Sequence, residues 1–275
     1  MSTQKTQVLE NPLKMRLQSG GLGLALMIRH ARTVDIGLAA RACGFDAIYF
    51  DMQHSPLPEN DVSQMCVTAL GAGVTPIVRV PDRDYGLALR MLDGGALGIV
   101  MPDCASAADA RAAVDVCKYA PLGRRSSTAT LPHFGYQPIP AAEARKALND
   151  NTMLIIMIES LAALEQVDEI AAVRGVDVLH IGSSDLSSDL GVPGEQTHPK
   201  VKAAFERIVA ACHKHGKIPG IGGLAGSDTS NYDYAIKLGA RFMSAGNEWA
   251  LMMAAGRERV KAIRALTPSG SRRDG

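Results

Sequence analysis

No stretch of this chain approaches the ~20 consecutive apolar residues of a membrane span, and its first residues, MSTQKTQVLENPLK, hold no apolar core of an export signal. Neither insertion nor export is expected. Charge of one sign is also missing. The 29 Lys and Arg against 28 Asp and Glu leave a formal net charge of +1, too little to grip a nucleic-acid backbone or an anionic membrane. Cysteines are few and unpatterned: Cys43, Cys66, Cys104, Cys117 and Cys212 show no CxxC spacing. They read as small buried hydrophobes rather than a disulfide framework or a zinc site. A reducing, cytoplasmic setting fits them, and the partners expected are small molecules and copies of the chain itself.

What is present is the material of a large core. Hydrophobic residues make up 47% and charged residues 21% of the 275, the balance of a globular protein. Length alone allows one barrel or two smaller domains, and the order of segments decides between them. Eight short β-rich apolar runs recur: Leu24–Ile28, Ala47–Asp51, Thr75–Val80, Gly98–Met101, Met153–Glu159, Val176–Ile181, Ile218–Ile221 and Arg241–Ala245. Between most of them lie amphipathic stretches of helical length, among them Thr33–Cys43, Asn60–Ala72, Asp84–Leu92, Ala107–Cys117 and Leu161–Val173. Eight βα alternations predict a single (β/α)8 TIM barrel over residues 20–266, with residues 1–19 as an N-terminal extension and residues 267–275 as a polar, disordered tail. Gly44, Gly73, Gly95, Gly175, Gly216 and Gly239 fall just after successive helices, where a left-handed residue ends a helix. The Pro-, Gly- and Arg-rich segment Ala120–Pro140 is too long for an ordinary connection and is expected to be an active-site or interface loop. Gly20, Gly21 and Gly23 precede a strand, so they cannot cradle a pyrophosphate and read as a flexible entry loop.

Parallel barrels gather their active sites at the C-terminal ends of their strands. There this sequence places Asp51, Gln53 and His54 after the second strand, Arg79 at the third, Glu159 at the fifth, and Gly182, Ser183, Ser184 and Asp185 after the sixth. Two carboxylates from neighbouring strands, Glu159 and Asp185, suit a hard divalent cation that keeps waters and chelates a two-oxygen substrate. A histidine three residues after an aspartate can accept a proton while the carboxylate orients its ring, which gives roles to His54 and Asp51. An arginine at the mouth calls for an anion or a developing oxyanion, the role expected of Arg79. No lysine closes a predicted strand, which disfavours a Schiff base.

In order along the chain, FDAIYFDMQHSPLP, TPIVRVP, GIVMPDCASAADARAAV, PLGRRSS, MLIIMIES and HIGSSDLSSDLGVPG resemble the HpcH/HpaI aldolases, over about residues 20 to 265. The resemblance implies a metal-dependent class II pyruvate aldolase that uses Mg2+, Mn2+ or Co2+. Glu159 and Asp185 match its metal ligands, His54 and Asp51 its proton-transfer dyad, and Arg79 the arginine on the keto oxygen of pyruvate. The backbone of Gly182, Ser183 and Ser184 matches the segment that holds the pyruvate carboxylate. A homotrimer or homohexamer that exchanges the last helix between subunits is also implied. The sequence departs from the family at Gln53, where Glu is common, and at Ser184, where Pro or Asn is.

The expected reaction is cleavage of a 4-hydroxy-2-oxo acid to pyruvate and an aldehyde through an enolate. Other enolate chemistry on the same barrel, such as oxaloacetate decarboxylation or an acyl-CoA lyase reaction, stays open, as does a barrel that only binds a ligand. Arg29, His30 and Arg32 make the end of the first strand unusually basic. Recognition of a carboxylate at the far end of the acceptor is one role for them, and a solvent or interface contact is the other.

Overall fold

The computed structural model describes residues 9–224 and 229–266, so the predicted tail at 267–275 lies outside the described residues. Eight strands, β1 (Gly23–Ile28), β2 (Ala47–Asp51), β3 (Thr75–Arg79), β4 (Gly98–Met101), β5 (Met153–Ile158), β6 (Val178–Gly182), β7 (Ile218–Gly222) and β8 (Phe242–Asn247), pair in sequence order into a closed barrel. Every pairing is parallel, and β8 closes the ring onto β1. The (β/α)8 expectation holds. All six helix-ending glycines sit at positive φ.

Period-2 alternation along the strands sorts their side chains into two cores. Ile48, Phe50, Val78, Ile99, Leu154, Ile156, Leu179 and Ile181 point outward under the helices. Ala47, Tyr49, Ile77, Val100, Ile155, Met157, Val178 and Phe242 fill the barrel interior. Leu13 and Leu17 join this inner group from the N-terminal helix Pro12–Gln18. Buried at 0% and 3% exposure, they each contribute about 1.5–3 kcal/mol of apolar burial. Residues 9–19, set apart in the sequence as an extension, thus plug the bottom of the barrel. Lys14 and Lys118 converge there on Asp177 at 2.8 and 3.2 Å.

Two loop expectations are corrected. Gly21 and Gly23 are not a flexible entry: a Cβ on Gly23 would lie 2.4 Å from Leu13 Cδ1, and one on Gly21 2.9 Å from Arg16 Cγ. These glycines let the plug helix approach β1. The segment Ala120–Pro140 follows a helix and precedes β5, so it belongs to the end of the barrel opposite the mouth. Its Leu131 and Phe134 pack with Leu97 and Leu148, and His133 Nε2 lies 3.1 Å from Ala96 O, next to the start of β4. It is not an active-site loop of its own barrel.

Candidate active site

Residues Asp51 and Arg79 end adjacent strands as register partners, both facing inward at the mouth. They form a two-pronged ion pair: Arg79 Nε donates to Asp51 Oδ1 at 3.0 Å and Nη2 to Oδ2 at 2.7 Å. Asp51 is fully buried and Arg79 is 7% exposed. The same carboxylate accepts from the backbone N–H groups of Gln53 at 3.2 Å and His54 at 3.1 Å. Arg29 Nε stands 3.3 Å away. Burial alone would raise the Asp51 carboxyl, but Arg79, the His54 N–H and Arg29 outweigh it and hold it below the usual carboxylate range.

The expected contact between Asp51 and the imidazole of His54 is absent. Asp51 grips the backbone of His54 and spends its oxygens on Arg79, so it shapes the turn rather than the ring's tautomer. The His54 ring makes no hydrogen bond among the described residues and borders both hollows of the mouth. Of the Arg79 guanidinium, only Nη1 is left unpaired by Asp51, with Met157 Sδ at 3.8 Å as its neighbour.

The carboxylates occupy one of these hollows. Glu159, Asp185, Asp103 and Asp189 line an open depression of about 610 Å³ together with Gln53 and His54. Glu159 is 9% exposed; its Oε1 accepts from Asp103 N at 2.8 Å, and Oε2 accepts nothing among the described residues. A Cβ at position 182 would lie 2.8 Å from that oxygen, so Gly182 leaves it room. Burial raises the Glu159 carboxyl above its ordinary value, with Asp103 and Asp185 adding to the shift against the Asp103 N–H and Arg79. Asp185 stands exposed in the first turn of the helix Ser183–Asp189. Among the described residues no three His, Cys, Asp or Glu side chains form a ready ligand set. A pair of carboxylates with an unused oxygen and uncompensated charge nonetheless fits a hard cation that draws its remaining ligands from water and substrate.

The second hollow, about 320 Å³, is bordered by Arg29, Asp51, Arg79, His54 and Gly182 to Asp185. Asp185 and His54 belong to both hollows, which makes them one divided mouth. Ser183 is buried and donates to Gly222 O at 2.7 Å. Of the basic trio only Arg29 lines this cavity. His30 stacks 5.1 Å from the ring of Trp249, and Arg32 Nη2 reaches Pro56 O at 3.3 Å.

Beneath the charged rim lies a polar floor that the sequence reading missed, built from Tyr49, His180 and Ser244 with Met27 and Met157. Strand parity was the available signal: Tyr49 stands two residues before Asp51, and His180 two before Gly182. The imidazole fills a slot made by two glycines, since a Cβ on Gly220 or Gly222 would lie 2.7 or 2.6 Å from its nitrogens. Burial, aided by the charge of Arg79, pushes His180 down to about 3, so the floor is neutral.

Residues 32–255 match the family model described as HpcH/HpaI aldolase/citrate lyase, a span that holds every mouth residue named above except Met27 and Arg29. The chain belongs to that family. It is 42% identical over 217 residues to the 4-hydroxy-4-methyl-2-oxoglutarate aldolase tasA of Hapsidospora irregularis, covering 78% of this chain and 80% of that protein. To the 2-dehydro-3,6-dideoxy-6-sulfogluconate aldolase of Pseudomonas putida it is 33% identical, covering 91% and 95%. The crystal structure of an HpcH/HpaI aldolase from Desulfitobacterium hafniense DCB-2 superposes with a TM-score of 0.87 at 30% identity, covering 93% of this chain and 98% of that one. This member of the HpcH/HpaI family is therefore an enzyme, a carbon–carbon lyase of the aldolase type.

Proposed function

We propose that the chain reversibly cleaves a 4-hydroxy-2-oxo acid to pyruvate and a carbonyl fragment at this mouth, with Mg2+, Mn2+ or Co2+ held by Glu159 and Asp185. One observation carries the reading: a buried carboxylate with an unused oxygen, Glu159, sits beside Asp185 at the same mouth as a buried arginine whose Nη1 meets only the weak acceptor Met157 Sδ. When bound, the cation withdraws electron density from an α-keto acid and lowers the cost of negative charge on its keto oxygen.

The residues supply the rest. The substrate carboxylate lies along the backbone of Gly182, Ser183 and Ser184, and the keto oxygen faces Arg79 Nη1. His54 takes the proton of the 4-hydroxyl. The C4–O bond becomes a carbonyl, the C3–C4 bond breaks, and its electron pair moves into the C2–C3 bond as charge builds on the oxygen opposite Arg79. After the fragment leaves, the protonated His54 returns its proton to C3 and pyruvate is released. Asp51 acts by holding Arg79. No lysine lines either hollow, which leaves no candidate there for a Schiff base.

The Hapsidospora relative is named for 4-hydroxy-4-methyl-2-oxoglutarate, a compound whose C4 carries a carboxylate and whose scission yields two pyruvates. We extend that substrate class to this chain. The last helix, Glu248–Arg264, buries none of its residues and exposes Trp249, Met252, Met253, Val260 and Ile263. That apolar face supports packing against further copies, as a homotrimer or homohexamer. The five cysteines are all free, four of them buried, which suits the cytoplasm.

A screen of 4-hydroxy-2-oxo acids for pyruvate release, with and without chelator, tests the reading. Release that stops on chelation and returns with the metal is expected. Cleavage that survives chelation and is trapped by borohydride would move the chemistry to a lysine.

A further inference from the structure

The turn after β1 is fastened by a side chain from the far end of the chain. Glu248, the first residue of the last helix, aims Oε1 at three consecutive backbone N–H groups, those of Arg29 at 2.9 Å, His30 at 2.6 Å and Ala31 at 3.0 Å. Burial raises the Glu248 carboxyl, but these donors outweigh it and keep it ionised below its ordinary range. Charge-assisted bonds of this kind are roughly twice as strong as neutral ones, so three of them on one oxygen fix the turn. The first residue of that turn is Arg29.

Arg29 is built to meet an anion. Its Nη2 donates to His54 O at 2.7 Å. Its Nε faces Asp51 without hydrogen-bond geometry and is buried without an acceptor. Its Nη1 makes no hydrogen bond among the described residues. The side chain is 34% exposed and lines the cavity beside Gly246 and Asn247. In an eight-stranded ring β1 stands opposite β5, which Glu159 directly follows. A substrate whose keto-acid end rests at Glu159 and Asp185 therefore directs its far end toward Arg29, and a guanidinium with spare donors matches a carboxylate there.

We propose that Arg29, aimed by Glu248, reads a carboxylate on C4 of the substrate and makes this mouth selective for 4-hydroxy-2-oxo diacids, whose released fragment is itself an α-keto acid. Arg29 is the specificity residue. Glu248 is a positioning residue that never touches substrate. The inference rests on the aldol reading above, and the test keeps the two apart.

The experiment compares 4-hydroxy-4-methyl-2-oxoglutarate with 4-hydroxy-4-methyl-2-oxopentanoate, which carries a methyl in place of the C4 carboxylate. Wild-type protein prefers the diacid. Arg29→Ala and Glu248→Ala each lower kcat/KM for the diacid by about 10- to 100-fold, the range of one charge-assisted hydrogen bond, chiefly through KM. The methyl analogue is unaffected by Glu248→Ala, and Glu248→Gln, which keeps an acceptor oxygen, recovers most of the preference. Exchange of pyruvate methyl protons in deuterated buffer stays at the wild-type rate in Glu248→Ala. Equal losses on both substrates, or no loss on either, would overturn the assignment, as would a wild-type protein that exchanges protons yet shows no diacid preference. If Glu248→Ala does not fold, Glu248→Gln and Arg29→Ala decide by the same comparison. A wild-type protein that neither exchanges protons nor cleaves any substrate overturns the aldol reading itself.

Discussion

Asparagine at position 51 separates the two roles open to this carboxylate. In the structure Asp51 is fully buried and braces Arg79 through two hydrogen bonds, of 3.0 and 2.7 Å, while catching the backbone of Gln53 and His54. Asp51→Asn removes the charge and turns an amide donor toward groups that are donors already. Breaking a buried pair by deleting one partner costs roughly 3–5 kcal/mol. At about 2–4 °C per kcal/mol for a domain of this size, the melting temperature falls by ~6–20 °C. The freed guanidinium drifts, and a displacement of about 1 Å costs on the order of 100-fold in kcat. Thermal unfolding by circular dichroism reads the first effect, and pyruvate release across pH reads the second. The depressed Asp51 carboxyl adds a signature: its stabilisation is present above the unfolded carboxylate value near ~3.9 and is lost as pH falls through the folded one. The variant lacks that acid-dependent component. A proton-relay role predicts otherwise, since removing the carboxylate would shift the pH profile of kcat/KM. A variant with unchanged melting temperature and a displaced profile would refute the bracing role.

The glycine slot predicts that Gly222→Ala destabilises by about 1–3 kcal/mol through overpacking, because the new Cβ would lie 2.6 Å from His180 Nε2. Adding His180→Ala should relieve that clash, so denaturant unfolding that shows fully additive losses in the double variant would contradict it. His133 and His180 are pushed down to about 4 and about 3, mainly by burial. The unfolded chain protonates them near ~6.5 while the folded one does not, so stability declines as pH falls below that value, by up to about 1.4 kcal/mol per unit for each histidine. Urea unfolding at successive pH values checks this, and a His133→Gln, His180→Gln double variant should flatten the slope toward pH ~4. A slope that survives the double substitution would assign it to other groups.

The barrel and its rim were legible because both rest on local periodicity. Eight apolar runs with intervening helices set the fold, and the polar residues at or just after the ends of four of those runs stand at the mouth. Asp51, Arg79, Glu159 and Asp185 were found this way. Contacts between strands were not legible, because register and side-chain direction decide them. The Asp51 carboxylate was assigned to the His54 ring three residues away, but its register partner across the sheet is Arg79. Strand parity turns His180 inward, but the slot prepared for it shows only once the paired glycines of β7 stand beside it. For the segment Ala120–Pro140 composition suggests an active-site or interface loop, and its place after a helix, at the end of the barrel opposite the mouth, removes the first of these roles. Glu248 was invisible as a clamp because it meets its partners across 217 to 219 residues of sequence.

The central claim is that this mouth stabilises the enolate of pyruvate, and the most direct measurement is proton exchange at the pyruvate methyl group, followed by NMR in deuterated buffer without any acceptor. With Mg2+, Mn2+ or Co2+ present the wild-type protein should wash the methyl protons out. Chelator, Arg79→Ala or Glu159→Gln should each suppress the exchange. Methyl protons that persist in the metal-loaded wild-type protein, or exchange that continues after both Glu159 and Asp185 are replaced, would contradict the account.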